Sequence, residues 1–429
     1  MSESVGVLEA PVRHHGWRVT FAGTGINLAL GILYTWSVIS KGVPAEWNWS
    51  ESAKSWPYAI ACLVFSLIMV PAGRLQDHII GPRAVATIGG VLVGAGMILS
   101  ALVGAYVPDF ALVGFIVGFG VLAGAGIGFG YAAATPPAVK WFPKARTGLI
   151  AGLVVSGFGL ASVYAAPLAK WLTSAFSLPT MVMVFGIGFL VVVVGLAQIL
   201  KPPPAGYVPP GSPPPAPPGP NARKEEFTSR EMLKTRQFYF LWFMYACGAG
   251  AGLMVIAKLA AIAKAQAGIE MGFVLVAVLA VGNGAGRIVA GIASDKIGRR
   301  ATMAICFVLQ AVLVLLLSQA TAGSLLAQTP VLALISALIG ANYGANLSLF
   351  PSVTKDYYGL KNFGTNYGLV FTAWGVGGFM LALLAGKVYD ATHSFNFAYY
   401  CSASLLVLAA VTTFLVRQPR HQLAPSEPE

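Results

Sequence analysis

A helix needs ~20 predominantly apolar residues to cross the hydrocarbon of a bilayer, and this chain contains twelve such runs. They fall at 19–41, 56–75, 83–106, 110–134, 147–170, 178–200, 237–262, 269–293, 301–320, 328–352, 364–388 and 395–416. Nothing else about the sequence restricts its fold so strongly. Composition agrees: 57% of the 429 residues are hydrophobic and 10% are charged, whereas a water-soluble fold covers its surface with about 25% charged residues. The first run follows a polar head with His14, His15 and Arg18 and lacks a small-residue cleavage site. It therefore reads as a membrane helix and not as a removed signal peptide.

Proline divides the chain. KPPPAGYVPPGSPPPAPPGP, from Lys201 to Pro220, bars helix and strand and favours an extended, solvated linker. The expected organisation is a tail at 1–18, a six-helix bundle at 19–200, a cytoplasmic linker at 201–236, a second six-helix bundle at 237–416 and a tail at 417–429. Within the linker, Thr228-Ser-Arg-Glu231 has the pattern of a capping box and predicts a short helix.

Lys and Arg set the orientation, because short loops that carry them stay cytoplasmic. With both termini inside, the cytoplasmic segments hold Arg13, Arg18, Arg74, Arg83, Lys140, Lys144, Arg146, the basic linker, Lys296, Arg299, Arg300, Lys355, Lys361, Arg417 and Arg420. The other side has only Lys41, Lys54, Lys170, Lys258, Lys264 and Lys387. The formal charge of +12 is thus mainly a topology signal, and no nucleic-acid partner is expected. The predicted location is the plasma, or inner, membrane. The four cysteines sit in apolar runs without metal-ligand spacing, and the glycines of Gly118–Gly130 lack the Lys-Ser/Thr that a phosphate loop requires. No metal, cofactor or enzymatic activity is expected.

The two halves repeat. Gly73-Arg-Leu-Gln-Asp77 with Gly81-Pro-Arg83 recurs as Gly291-Ile-Ala-Ser-Asp295 with Gly298-Arg299-Arg300, the aspartates 218 residues apart. GIGFGYAAATPP, from Gly126, is echoed by GANYGANLSLFP, from Gly340; Gly152 matches Gly368 and Phe158 matches Trp374. These residues resemble the major facilitator superfamily, whose loop between helices two and three carries this glycine, aspartate and arginine motif. The resemblance implies an all-α membrane protein of twelve helices, in two six-helix bundles that rock about a central site. It also implies that Gly73, Asp77, Arg83, Gly291, Asp295, Arg299 and Arg300 hold the bundles together on the cytoplasmic side.

Within that superfamily, LGILYTWSV (from Leu30), KWFPKARTGLIAG (from Lys140), NYGANLSLFPS (from Asn342) and FTSREMLKTRQFYFLWF (from Phe227) look like oxalate:formate exchangers and monocarboxylate transporters. Drug exporters usually carry a proline in their helix-five motif; Gly148 to Ser162 has none.

Arg287 is the residue that needs explanation. A charge near the bilayer centre costs at least ~2.5–3.5 kcal/mol, and eight residues separate it from Asp295, ~12 Å along a helix. All fifteen acids fall in loops, tails or helix ends. The missing anion is therefore expected to be the substrate, gripped by two parallel hydrogen bonds. Asn283, one turn away, shares its face. Animal monocarboxylate transporters typically have Asp at the matching position, and the oxalate exchangers have a lysine where this chain has Trp374. One fixed positive charge suits a monocarboxylate such as lactate or pyruvate.

Helices one, four, five and ten line the cavity in this superfamily, which adds Asn27, Leu28, Tyr34, Tyr131, Phe158 and Tyr343, with Phe371 from helix eleven. The expected activity is proton-coupled symport by a monomeric carrier. Exchange of organic anions without a proton is the alternative, and a sensor that binds without transporting is a more distant one.

Overall fold

A computed structural model describes residues 14–143, 146–204, 207–210, 226–359 and 362–419, with the side chains of residues 77, 78, 147 and 148 outside the described set. The fold is all helical. Twelve helices are long and apolar enough to cross a membrane: α1 Gly16–Lys41, α2 Glu51–Gln76, α3 Gly81–Tyr106, α4 Pro108–Val139, α5 Leu149–Ala175 and α6 Leu178–Ala197 form the first bundle. The second comprises α7 Arg236–Ala267, α8 Gly272–Ile297, α9 Arg299–Ser318, α10 Thr329–Tyr358, α11 Phe363–Thr392 and α12 Asn396–Leu415.

Local chemistry explains the starts and stops. Ser50 Oγ accepts the Ala53 amide at 3.1 Å, which caps α2 five residues before its expected beginning and brings Glu51 into the helix. Thr228 and Glu231 form the predicted capping box on a short helix, Ser229–Leu233, ahead of α7. α7 runs to Ala267, beyond the expected 262, so Lys258 lies inside the helix and not at its end. Gly81 and Gly298 occupy equivalent turns of the repeated motif, with φ of 74° and 89°, a region that glycine enters without steric cost.

The halves meet along α2 with α11 and along α5 with α8, two contacts that the internal repeat makes equivalent. Small residues permit close approach, as is usual where helix packing in lipid relies on shape. A Cβ on Gly386 would strike Ser52 and Glu51 of α2, and one on Gly378 would strike Cys62. Two helices depart from α geometry beside the interface. α1 tightens to a 3₁₀ turn over Gly31–Thr35, and α4 widens to a π-helix over Ile116–Ala123. Such departures inside a helix often mark functional segments.

Candidate functional site

Arg287 lies in α8 against α5 and is 5% exposed. Its Nε donates to Asn283 Oδ1 at 3.1 Å, and its Nη1 donates to the Val155 carbonyl of the other half at 2.8 Å. Gly159 makes that second bond possible. It stands one turn after Val155, and a Cβ there would come within 3.3 Å of Arg287 Nη2. A Cβ at that distance is already tight, so a larger side chain pushes the guanidinium away from α5.

Two donors are left over. Arg287 Nη2 and Asn283 Nδ2 are both buried without a hydrogen-bond partner. Buried donors are rarely left unsatisfied, since each costs ~1–3 kcal/mol. Among the described residues Arg287 has no ion pair, and the Tyr131 hydroxyl lies within hydrogen-bonding reach of its guanidinium. The arrangement buries one full charge and two unpartnered N–H groups, from residues one helical turn apart, in the space between the halves.

Aromatic rings enclose that space. Tyr34 of α1 packs edge-on against Phe158 and Tyr343, and the two tyrosine hydroxyls are 2.5 Å apart, joining the halves. Trp374 Nε1 donates to Tyr343 Oη at 2.8 Å and stacks on Phe371. Phe65 of α2 touches Tyr131, Phe158, Phe371 and Trp374. The structure thus brings Arg287, Asn283, Tyr34, Tyr131, Phe158, Tyr343, Phe371 and Trp374 together. Asn27 and Leu28 have other contacts. Asn27 Nδ2 donates to the Val154 carbonyl at 2.9 Å and the Leu28 carbonyl accepts from Tyr164 at 2.9 Å, so both fasten α1 to α5.

Phe65 and Gly159 were not singled out by sequence. Phe65 sits in an unbroken apolar run, where its ring has no distinguishing neighbour. Gly159 is one glycine among many, and only the path of the arginine gives it a role. Gly159→Val is expected to abolish saturable uptake, because it forces the guanidinium off α5. Normal expression with wild-type uptake would show that this contact is dispensable.

The two ends of the molecule differ. On the face opposite the termini, Lys41 of α1 pairs with Glu270 at 3.1 Å, and Glu270 also pairs with Lys264 at 3.2 Å. The hydrogen bonds from Lys41 and then Lys264 hold the exposed Glu270 carboxyl below its ordinary range. This tie therefore survives mild acid and is lost when the pH falls through that lowered value. Deeper in, Lys258 pairs with Glu51 at 2.9 Å, and Asp390 accepts the Glu51 and Ser52 amides at 2.8 Å each. Apart from the Lys264–Glu270 pair, which lies within the second half, these bonds join the two halves.

On the terminal face the second motif copy bonds within its own half. Asp295 pairs with Arg299 at 2.7 Å, Arg299 reaches Asp356 of α10 at 3.1 Å, and Arg300 donates to the Thr413 and Phe414 carbonyls of α12. The expectation that Asp295, Arg299 and Arg300 tie the bundles together is not met in this conformation. The reason is separation: a Cβ on Gly73, Gly152 or Gly291 would meet nothing within 4 Å. Arg83 is exposed, and the side chain of Asp77 lies outside the described residues. Ion pairs tie the halves on one face; on the other, the described motif residues bond within their own half, and the α2–α11 seam keeps contact where a Cβ on Gly368 would come within 3.3 Å of Val70.

Comparisons with known proteins agree with this architecture. A family model described as Major Facilitator Superfamily matches residues 19–277 and 251–429. An uncharacterized MFS-type transporter, YhjX of Escherichia coli (strain K12), is 27% identical over 364 residues, 84% of this chain and 85% of that protein. The oxalate:formate antiporter of Oxalobacter formigenes is 26% identical over 393 residues, 90% of this chain and 85% of that one. The fold resembles the crystal structure of a bacterial homolog of the human lysosomal transporter Spinster, with a TM-score of 0.65 at 17% identity, covering 94% of this chain and 97% of that one.

Proposed function

This chain belongs to the Major Facilitator Superfamily, and on that premise we propose that it carries small monocarboxylates across the membrane by alternating access, with a proton. The observation that supports the substrate class is the pair of unused donors on Arg287 and Asn283. A carboxylate oxygen on Arg287 Nη2 neutralises the guanidinium, and a 2-hydroxy or 2-oxo oxygen suits Asn283 Nδ2. Lactate and pyruvate carry both oxygens on adjacent carbons. Their short methyl end faces Phe65, Phe158 and Trp374. A dicarboxylate would place its second charge among those rings, at a desolvation cost of several kcal/mol.

Charge balance also supplies the coupling logic. The empty site holds a bare cation and the loaded site is neutral, so occupancy lowers the electrostatic cost of enclosing it. A guanidinium does not serve as a proton carrier in proteins, so the accompanying proton travels on another group. The Oxalobacter relative is an antiporter, which favours exchange without a proton as the second reading.

Proteoliposomes separate the two. Labelled lactate should accumulate against its gradient when the exterior is acid, and collapse of the pH difference should abolish that accumulation. Uptake that requires internal monocarboxylate and ignores pH would replace symport with exchange. Absence of any monocarboxylate flux would remove both.

A further inference from the structure

Lys258 is a second buried cation in the transport half that carries Arg287. It is 2% exposed, and both of its hydrogen bonds go to one residue of the other half: the Glu51 carbonyl at 2.8 Å and the Glu51 carboxylate at 2.9 Å. Glu51 is not equally dependent on Lys258. Its other carboxylate oxygen pairs with Lys54, three residues on in the same helix, at 3.0 Å. When the halves part on this face, Glu51 and Lys54 leave together as a pair. Lys258 is left without either of its hydrogen-bond partners. Asp390, also in the second half, is exposed and accepts the Glu51 and Ser52 amides; its charge acts on Lys258 without a hydrogen bond to it.

The position of Lys258 gives this asymmetry a use. Gly252 of α7 lies against the Tyr343 ring, which with Tyr34 roofs the Arg287 site. Lys258 is six residues further along α7, ~9 Å toward the opposite face. The two cations therefore stand at different depths along the molecule.

We propose that Lys258 is a transient anion-binding site that receives the substrate carboxylate when the opposite face is open, and that the Glu51 carboxylate displaces it toward Arg287 as that face closes. The idea rests on the monocarboxylate reading above. Glu51 acts as the internal equivalent of the substrate: it restores the countercharge that Lys258 loses when the acid moves inward. Closing over an empty or a loaded site then leaves no bare ammonium at this depth, where an unpaired charge is costly.

The test is the KM for labelled lactate, measured from each face in right-side-out and inside-out vesicles. Wild-type flux establishes the substrate reading first, and its absence would remove that reading rather than this one. The exchange Glu51→Lys with Lys258→Glu keeps an ion pair across the closed face but puts a carboxylate at the proposed station. With the wild-type thermal midpoint retained, KM from the opposite face should rise roughly tenfold or more, and KM from the terminal face should not change. Glu51→Gln alone removes the displacing carboxylate, so KM from the opposite face should fall several-fold while the maximal rate drops. A structural clasp predicts no such opposed change. If the exchanged protein fails to fold, Glu51→Gln with Lys258→Gln replaces it as a neutral hydrogen-bonded pair and should raise KM from the opposite face only. Wild-type KM in these paired variants, or an equal rise from both faces, would overturn the proposal.

Discussion

Arg287→Gln should reduce saturable monocarboxylate uptake to background while leaving the empty protein as stable as wild type or more so. The two effects have one origin. Truncating one partner of a buried, hydrogen-bonded charge pair costs ~2–5 kcal/mol of binding, which at about 1.4 kcal/mol per decade is a loss of roughly 30- to 3,000-fold in affinity. In the empty protein the same charge has no acid beside it. Its bonds to Asn283 and Val155 compensate only part of a burial cost of at least ~2.5–3.5 kcal/mol. A glutamine ends where the arginine Nε stands, so it keeps a donor for Asn283 and sheds that cost.

Arg287→Lys is the sharper companion. It keeps the charge, but one ammonium cannot lie along α5, reach Val155, hold Asn283 and still present a planar donor to a carboxylate. Uptake should fall nearly as far as in the glutamine variant. Ligand-induced stabilisation checks binding apart from flux: lactate at ~100 times its Kd adds about 2.7 kcal/mol to the wild type and should add nothing to either variant. Wild-type transport by Arg287→Gln would sink the assignment of the site.

Arg287 was legible in the sequence because lipid makes an isolated charge conspicuous, and the tyrosines because they match places in a repeated pattern. Phe65 and Gly159 were not, since their meaning depends on what crosses from the other half. The pair of Lys258 and Glu51 shows the same limit most clearly. Counting charges by loop assigns Lys258 to a topology signal and Glu51 to a connecting segment. The Ser50 cap brings Glu51 into α2 and the longer α7 sets Lys258 well away from its helix end, and a contact spanning 207 residues of chain leaves no local trace in either segment. Asn27 shows what a polar residue on a cavity-lining helix leaves open: its Nδ2 fastens that helix to its neighbour, while its Oδ1 is buried without a hydrogen-bond partner.

The second large effect concerns the terminal face. On α5, Gly159 and Gly152 are seven residues apart and share a face, as do Gly284 and Gly291 on α8. Gly159 lies on Arg287 and Gly284 lies on Leu160, so both faces look across the boundary between the halves. Two turns toward the termini, Gly152 and Gly291 have nothing within 4 Å. If the halves rock about the site, these two glycines converge when the opposite face opens. Gly291→Trp should therefore fold normally, since its Cβ meets nothing within 4 Å in this conformation, yet transport should stop. A wedge that costs ~3 kcal/mol in the closed form cuts its population about 100-fold. Gly286→Val makes the contrast, because its Cβ would strike the Ala341 backbone of α10 in the present conformation and should prevent folding. A cysteine pair at Gly152 and Gly291 gives the direct reading. Substrate and an open opposite face should raise its crosslinking rate, and the crosslinked carrier should be inactive until reduced. Undiminished transport by Gly291→Trp, or by the crosslinked pair, would mean that the halves do not close at this end.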